Sequence, residues 1–395
     1  MNSISEIQKR LYESFAKIHG NTDGTRLFHA PGRVNIIGEH IDYNGGHVLP
    51  CALDVGTYVL VRPTNNGIMR FASLDFDVTA EIALDSESVV YSTARGWVNY
   101  PLGVVHQMLQ GLHGGKLAGF DVLFGGNIPR GAGLSSSASV EVVMATALNA
   151  LFELDYEMIE LAQLAQRAEN QFCGVNCGIM DQFVVAMAKK DKAIYLNCDT
   201  LEHRHVPLEL GDYCIVIMDT NKRRRLAESK YNERRAECEA ALADMQTAHK
   251  ITHLAHIAPE EFGGGRWISM EVNRKRARHV VLENHRVTQA VAAMEAQNLA
   301  ALGDLLYRSH VSLRDDYEVS CAELDVIVEA AMQHNACIGA RMTGAGFGGC
   351  AIALVQRNTA DDFIAQVSTQ YERKIGYAPA MYMHASGDGA REIVE

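Results

Sequence analysis

Apolar side chains recur at helical spacing along several stretches of the chain. Val140, Val143, Ala147 and Leu151 fall on one face of a helix predicted over 139–154. The same spacing predicts further helices over 156–172, 271–297 and 322–334.

Short apolar runs predict strands at 193–198, 213–219 and 350–355. Helical and strand patterns are mixed without strict alternation, which favours an α+β fold over a parallel doubly wound sheet. A polar stretch near 199–212 lies between two of these strands and is the best position for a domain boundary. We therefore predict two domains, 1–205 and 206–395.

The composition is that of a soluble globular protein with a sizeable core. The chain has 395 residues, of which 48% are hydrophobic and 21% charged. No apolar run approaches the roughly 18–20 residues that cross a bilayer. The first twenty residues alternate charged and apolar groups, which indicates a surface helix and not a signal peptide. We expect no membrane association.

The charge and the cysteine content limit the possible partners and the cellular compartment. A formal net charge of −12 argues against a nucleic-acid partner, yet it allows a nucleotide substrate in a locally positive pocket. The basic runs 222–225 and 274–278 are predicted to be largely solvent-exposed. Nine scattered cysteines do not form a disulfide framework, which indicates the cytoplasm. Cys173 and Cys177 lack a second ligand pair at zinc spacing and are interpreted as structural thiols.

A glycine- and serine-rich loop precedes the helix predicted at 139. Gly131 and Gly133 allow positive φ and close approach of a ligand to the main chain. The serines at 135–137 lie where unpaired N–H groups and the helix dipole favour an anion. An ordinary loop with a serine N-cap is the alternative, but the order Gly-x-Gly-Leu-Ser-Ser-Ser-Ala is more specific and predicts phosphate binding.

Other known phosphate-binding motifs are either incomplete in this sequence or lie in the wrong structural context. Gly115-Lys116 is followed by Leu117, and Gln110 stands where a Walker A loop needs glycine. The cluster at 344–349 satisfies G-x-G-x-x-G but precedes a predicted strand, so we interpret it as a turn that a substrate approaches closely. The protein-kinase motifs H-R-D and D-F-G are absent from the sequence.

Two further segments carry candidate chemistry. In the segment 30–46, Glu39, His40 and Asp42 could hold a polyhydroxyl ligand, or the acids could pair with nearby bases in a turn. Asp181 lies between apolar residues at 177–182. It could cap the helix that follows, or accept a hydroxyl proton in catalysis.

The three segments, in this order, resemble the galactokinases of the GHMP kinase superfamily. The motif G-R-x-N-x-I-G-E-H-x-D-Y-N occurs at 32–44, with Ile41 where threonine is common, and the similarity extends from about residue 30 to the C-terminal strands. The resemblance implies a two-domain GHMP kinase-like fold with the active site between the domains. It implies transfer of the γ-phosphoryl group of ATP to the C1 hydroxyl of D-galactose. The products would be galactose 1-phosphate and ADP, in the first committed step of galactose catabolism.

The resemblance also assigns roles by position. Asp181 would accept the proton, and Arg33, placed close to it, would stabilise charge on the transferring group and keep that carboxylate ionised. Ser137 and Glu169 would hold Mg²⁺. The sugar contacts would be Glu39, His40, Asp42, Gly178 and Tyr231. The ATP contacts would be Trp97, Gly131, Ala132, Gly133, Leu134, Ser135, Ser136 and Ser137.

Three alternatives remain open at this stage. A non-catalytic sugar sensor of galactokinase descent is disfavoured because the serine loop and Asp181 are intact. A kinase for N-acetylgalactosamine or another galactose-like hexose would share these motifs. A kinase for an unrelated metabolite fits the polar set Glu39, His40 and Asp42 less well. The oligomeric state is left open, with a monomer favoured.

Overall fold

The computed structural model describes residues 4–129, 131–222 and 227–394. Its α-helices are α1 (Ile4–His19), α2 (Asn99–Gln110), α3 (Ser136–Phe152), α4 (Met158–Arg167), α5 (Met180–Met187), α6 (Ala227–Met245), α7 (Pro259–Phe262), α8 (Glu271–Glu295), α9 (Leu299–Asp315), α10 (Ala322–Met332) and α11 (Ala360–Ile375). The strands are β1 (Arg26–Asn35), β2 (His47–Val48), β3 (Pro50–Thr64), β4 (Ile68–Ser73), β5 (Ala80–Ala83), β6 (Gly119–Gly126), β7 (Lys192–Asn197), β8 (His203–Pro207), β9 (Tyr213–Asp219), β10 (Cys337–Met342), β11 (Cys350–Gln356), β12 (Ala380–Met383) and β13 (Arg391–Glu392).

The first half of the chain is built on a six-stranded sheet in the order β13-β1-β3-β6-β4-β5, whose edge strand β13 comes from the C-terminal end of the chain. Only β4 and β6 of this sheet pair in parallel. Helices α3 and α5 cover one face. On the other face, Ile7, Leu11 and Phe15 of α1 are buried because they stand four residues apart on one side of the helix. The charged side of α1 is left to solvent, as its alternating sequence predicted.

The second half carries an antiparallel sheet in the order β10-β11-β9-β12. Helices α9 and α10 pack on β10, and α8 packs on α9. A third sheet, β2-β7-β8, contacts α8. Arg341 of β10 is fully buried and donates to the carbonyls of Asn35 and Ile36 at the end of β1, which joins the two halves.

Most of the predicted elements are confirmed to within a few residues. The helix predicted at 156–172 is α4 continued by a π-helical turn, Ala168–Cys173. The glycine cluster 344–349 is confirmed as a turn between two strands, β10 and β11. Within the described part of the chain, no helix combines the length and apolar character that a membrane span requires.

The prediction that the basic runs face solvent is wrong for Arg276. Its side chain is 1% exposed and bonds Glu237 at 2.7 Å and Glu318 at 2.8 Å, because it points from α8 towards α6 and not outward. Arg223, Arg224 and Arg225 of the other run lie outside the described residues. The division at 205/206 falls inside β8 and stays a prediction.

Candidate active site

A cleft of about 1040 Å³ opens between the two halves of the chain. This volume is large enough for a sugar together with a nucleoside triphosphate. Strand β1 and the loop before α3 supply one wall, and the β10–β11 turn and α6 supply another. Its lining includes Arg33, Glu39, His40, Asp42, Gly131, Gly133, Ser135, Ser136, Ser137, Glu169, Gly178, Asp181 and Tyr231. Most of the sequence-predicted residues therefore converge on one place.

Arg33 and Asp181 form a two-bond ion pair inside the cleft. Arg33 Nε lies 2.8 Å from Asp181 Oδ1, and Nη2 lies 2.6 Å from Oδ2. Arg33 Nη1 also donates to the carbonyl of Gly133 at 2.9 Å, which fixes the guanidinium against the glycine-serine loop. Asp181 lies in the first turn of α5, whose N-cap is Ile179, so Asp181 is not the helix cap. Its carboxylate remains 28% exposed to the cleft.

The loop from Gly131 to Ser137 presents main chain to the cleft. Gly131, Gly133 and Ser135 all have φ between 61° and 78°, a left-handed geometry that turns successive peptide groups in one direction. Helix α3 begins at Ser136 without a side-chain cap, and the hydroxyl of Ser135 donates to Asp181 at 2.5 Å. The first N–H groups of α3 are thus left for an anionic ligand. The side chains of Ala132 and Leu134 are buried in the core.

Behind this loop lies a buried pair of carboxyl groups, Glu141 and Glu169. Burial and the charge of Glu169 raise the pKa of Glu141 well above its usual range. Burial and the charge of Asp181 raise the pKa of Glu169, while a hydrogen bond from Ser137 opposes that rise. The amide of Gln182 donates to both acids, at 3.2 and 2.6 Å.

The residues around Glu169 fit a magnesium ion. A hydroxyl and a carboxylate beside a phosphate-binding loop are the oxygen donors that Mg²⁺ prefers, together with substrate phosphates. Glu169 is nearly buried among acids, an arrangement that a divalent cation would stabilise. Ser137 hydrogen-bonds Glu169 and both residues line the cleft; their role as magnesium ligands stays a prediction.

The wall of the cleft that carries the predicted sugar contacts Glu39, His40 and Asp42, called here the sugar-side wall, is built from the segment after β1. Asp42 begins a 3₁₀ helix, Asp42–Asn44, and Gly178 faces it. Burial, then the charges of Asp181 and Glu39, raise the pKa of Asp42 to about 7. The two glycine loops also meet here, since a β-carbon on Gly344 would lie 3.3 Å from the carbonyl of Gly133.

His40 is held as a neutral imidazole. Burial lowers its pKa to about 3, and its Nε2 lies 3.3 Å from the carbonyl of Ala345, to which it donates. Its Nδ1 therefore accepts from Tyr43, 2.8 Å away. Tyr231 of α6 packs its ring on His40, with centroids 5.5 Å apart. These contacts give the wall one fixed pattern of donors and acceptors.

Glu39 joins the two halves at the cleft. Its Oε1 accepts from the hydroxyl of Thr343 and the N–H of Gly344, each at 2.8 Å. Arg341 lies 3.3 Å from the same oxygen. One carboxylate oxygen thus anchors the β10–β11 turn. Ile41, although it stands between presumed sugar contacts in sequence, is fully buried in the core.

Trp97 does not line this cleft. Its indole N–H donates to the carbonyl of Val78, and its ring packs on Phe76 and Phe124. Its predicted place beside the adenine therefore stays a prediction. Cys177 is a free thiol that donates to Asn170, and its structural role stays a prediction.

Sequence reasoning missed several residues of the cleft. Lys222 lines it and forms an ion pair with Glu323 at 2.8 Å, although its basic run was interpreted as a solvent-exposed face. Its position in the loop that follows β9 is the available signal, because residues just after strand ends often line ligand sites. Other lining residues without a predicted role include Asp219, Asn221, Ser229, Asn232 and Ala345.

Comparisons with known proteins identify the family of this chain. The sequence profile described as "Galactokinase galactose-binding signature" matches residues 13–63, and those of the GHMP kinase N- and C-terminal domains match 99–189 and 290–373. Galactokinase of Bacillus subtilis is 46% identical over 389 residues, covering 98% of this chain and 99% of the relative. That of Clostridium tetani is 48% identical over 394 residues, covering 99% and 98%.

Solved structures show the same relationship. The crystal structure of Lactococcus lactis galactokinase complexed with galactose is 43% identical and has a TM-score of 0.94, covering 98% of this chain and all of that chain. A mevalonate kinase at 18% identity has a TM-score of 0.66 over 91% of this chain and 98% of its own, and so shares the fold.

Proposed function

We infer that this chain, which belongs to the galactokinase family of the GHMP kinases, transfers the γ-phosphoryl group of ATP to the C1 hydroxyl of D-galactose. The products are galactose 1-phosphate and ADP, in the first committed step of galactose catabolism. The observation that carries the proposal is the Arg33–Asp181 pair, set between the phosphate-binding loop and the sugar-side wall of one cleft.

Asp181 is the group proposed to receive the C1 hydroxyl proton. Its carboxylate faces the cleft while both of its oxygens are hydrogen-bonded, so its position is fixed before the sugar arrives. Arg33, 4% exposed, is held by Asp181 and Gly133 at the junction of the two walls. There its positive charge stabilises the phosphoryl group during transfer.

The loop Gly131–Ser137 is proposed to bind the phosphates of ATP through the open N–H groups at the start of α3. Ser137 and Glu169 would hold Mg²⁺, which neutralises charge on the phosphates when bound. Trp97 remains the proposed neighbour of the adenine. The sugar hydroxyls would contact Glu39, His40, Asp42, Gly178 and Tyr231.

A sugar panel in a coupled ADP-release assay tests the proposal. Galactose with ATP and Mg²⁺ should give the highest kcat/KM, and the product should carry phosphate on C1 by phosphorus-coupled proton NMR. Galactose binding without ADP release would instead identify a sugar sensor. Higher kcat/KM with N-acetylgalactosamine would identify a kinase for that sugar.

We also propose that the enzyme acts in the cytoplasm as a monomer. All nine cysteines are free thiols, a state that a reducing compartment preserves. Size-exclusion chromatography with light scattering measures the mass of the assembly directly.

A further inference from the structure

Two histidines and an aspartate converge at a place on the surface that phosphoryl transfer does not use. Asp199 lies in the turn between β7 and β8. In the second half of the chain, a 3₁₀ turn, Leu254–His256, is preceded by His253 and ends at His256. Residues three apart on a 3₁₀ turn point the same way. Both imidazoles therefore face the carboxylate of Asp199.

Two of the distances within this group are close to those between ligands of one metal ion. His253 Nδ1 lies 3.6 Å from Asp199 Oδ1, and His256 Nε2 lies 3.4 Å from Asp199 Oδ2. Both separations exceed the usual 2.7–3.2 Å of an N–H···O hydrogen bond. Two atoms bound to tetrahedral zinc at about 2.0–2.1 Å stand about 3.3–3.4 Å apart. The three ligand atoms all lie within 4.8 Å of one another.

The hydrogen bonds of the two imidazoles allow the nitrogens that face Asp199 to bind a metal ion. His256 Nδ1 lies 3.2 Å from the hydroxyl of Thr252, which can accept a hydrogen bond from Nδ1 and so leave the lone pair of Nε2 facing Asp199. His253 Nδ1 is inaccessible to solvent and has no hydrogen-bond partner among the residues that the structure describes. A buried nitrogen without a partner costs free energy, which a metal bond would remove.

We propose that Asp199, His253 and His256 bind a zinc-class divalent cation, with water completing the coordination. Two imidazoles and one carboxylate suit Zn²⁺ and the neighbouring first-row metals, and are poor ligands for Mg²⁺. The ion would tie the 253–256 turn to the β7–β8 turn, two segments more than fifty residues apart in sequence.

The proposed metal site lies directly behind the sugar-side wall. A β-carbon on Gly45, which ends the 3₁₀ helix of Asp42, would lie 2.5 Å from Cγ of His253. The N–H of Cys198 donates to the carbonyl of Gly46 at 3.0 Å, next to Asp199. The ion would thus brace the segment that carries Asp42, in a structural and not a catalytic role.

Zinc binding to the tag-free, chelator-treated full chain tests the proposal. The titration is run in millimolar Mg²⁺, which keeps the hard-cation site filled and competes poorly for imidazole. We expect one equivalent of Zn²⁺ by calorimetry, a thermal midpoint raised by a few degrees, and visible absorption typical of tetrahedral Co²⁺ when cobalt replaces zinc.

Single substitutions test which residues bind the metal ion. His256→Ala and Asp199→Asn change partly exposed side chains, so their folding is not in question, and each should weaken zinc binding by about 100-fold or more. His285→Ala removes an exposed histidine of α8 and should leave binding unchanged. Absence of stoichiometric zinc binding, or full binding in the His256→Ala variant, would overturn the proposal.

Discussion

A β-carbon on Gly178 would lie 2.0 Å from Oδ2 of Asp42, so the carboxylate fills the space that a side chain at position 178 would need. The φ angle of Gly178 is not positive, so glycine is needed here because it lacks a side chain and not because of its backbone freedom. The turn before α5 and the segment after β1 can approach this closely only because residue 178 is glycine.

Gly178→Ala should therefore displace Asp42 and weaken sugar binding. We expect the KM for galactose to rise about tenfold, with a smaller change in kcat, because Asp181 is held separately by Arg33. Steady-state kinetics measure both. Gly115→Ala is the matched control, since its β-carbon meets nothing within 4 Å. An unchanged KM in Gly178→Ala would show that Asp42 does not position the sugar.

Asp42 predicts a pH dependence of sugar affinity. Its pKa is raised to about 7 by burial and by Asp181 and Glu39, and its ionised form is the one that accepts sugar hydroxyls. As the pH falls below 7, protonation should compete with the sugar. The KM for galactose should then rise by about tenfold for each pH unit.

The Asp42→Asn variant isolates this effect. Its KM should be high at pH 8 and should vary little between pH 8 and 6, because the amide does not titrate. A wild-type KM that stays constant over the same range would remove Asp42 as the titrating sugar contact.

Asp181→Asn should abolish most turnover while sugar binding survives. Loss of the proton acceptor is expected to lower kcat by about 100-fold or more, because positioned bases contribute on that scale. Galactose affinity by calorimetry should change little. Asp212→Asn, an exposed position, provides the isosteric control. Turnover near the wild-type rate in Asp181→Asn would exclude this residue as the acceptor.

Arg33→Ala should lower kcat more than it weakens galactose binding. The guanidinium contacts Asp181 and Gly133 on the phosphate side, so its charge acts mainly on the transferring group. Arg204→Ala removes a surface arginine paired with Glu295 and should leave both parameters unchanged. If only the KM for galactose increases in Arg33→Ala, the residue binds sugar and does not stabilise the transition state.

The elements that the sequence predicted are those whose signal is local. Helix α8 and strand β11 carry their pattern within a single run of residues, so periodicity was sufficient. Burial of Arg276 depends on Glu237 and Glu318, which come from other elements, and its charge alone gave the wrong prediction. Pairing of β13 with β1 joins the two ends of the chain and has no local signal.

The candidate site shows the same limit. The glycine-serine loop was predicted from its own residues, because a loop and a helix start are local features. Contact between Arg33 and Asp181, 148 residues apart, was expected only through resemblance to a family. The cluster of Asp199, His253 and His256 was not predicted, since its two segments meet only in the folded chain.

Buried neutral histidines predict that the protein loses stability in mild acid. Burial lowers the pKa of His29 to about 3, below its unfolded value of about 6.5. Between these two pH values, His29 is therefore protonated in the unfolded chain and neutral in the folded chain. The stabilising contribution is complete above pH 6.5 and is lost as the pH falls from there towards 3, at about 1.4 kcal/mol for each pH unit.

The thermal midpoint should thus fall between pH 7 and pH 5, and His29→Leu should reduce the slope of that fall. The slope should not vanish, because burial also lowers the pKa of His310 to about 3 and that of His279 to about 4. His285→Leu changes an exposed histidine and should keep the wild-type slope. Differential scanning fluorimetry at several pH values measures all three proteins. Equal slopes in wild type and His29→Leu would mean that His29 is protonated to the same extent in the folded and unfolded chains.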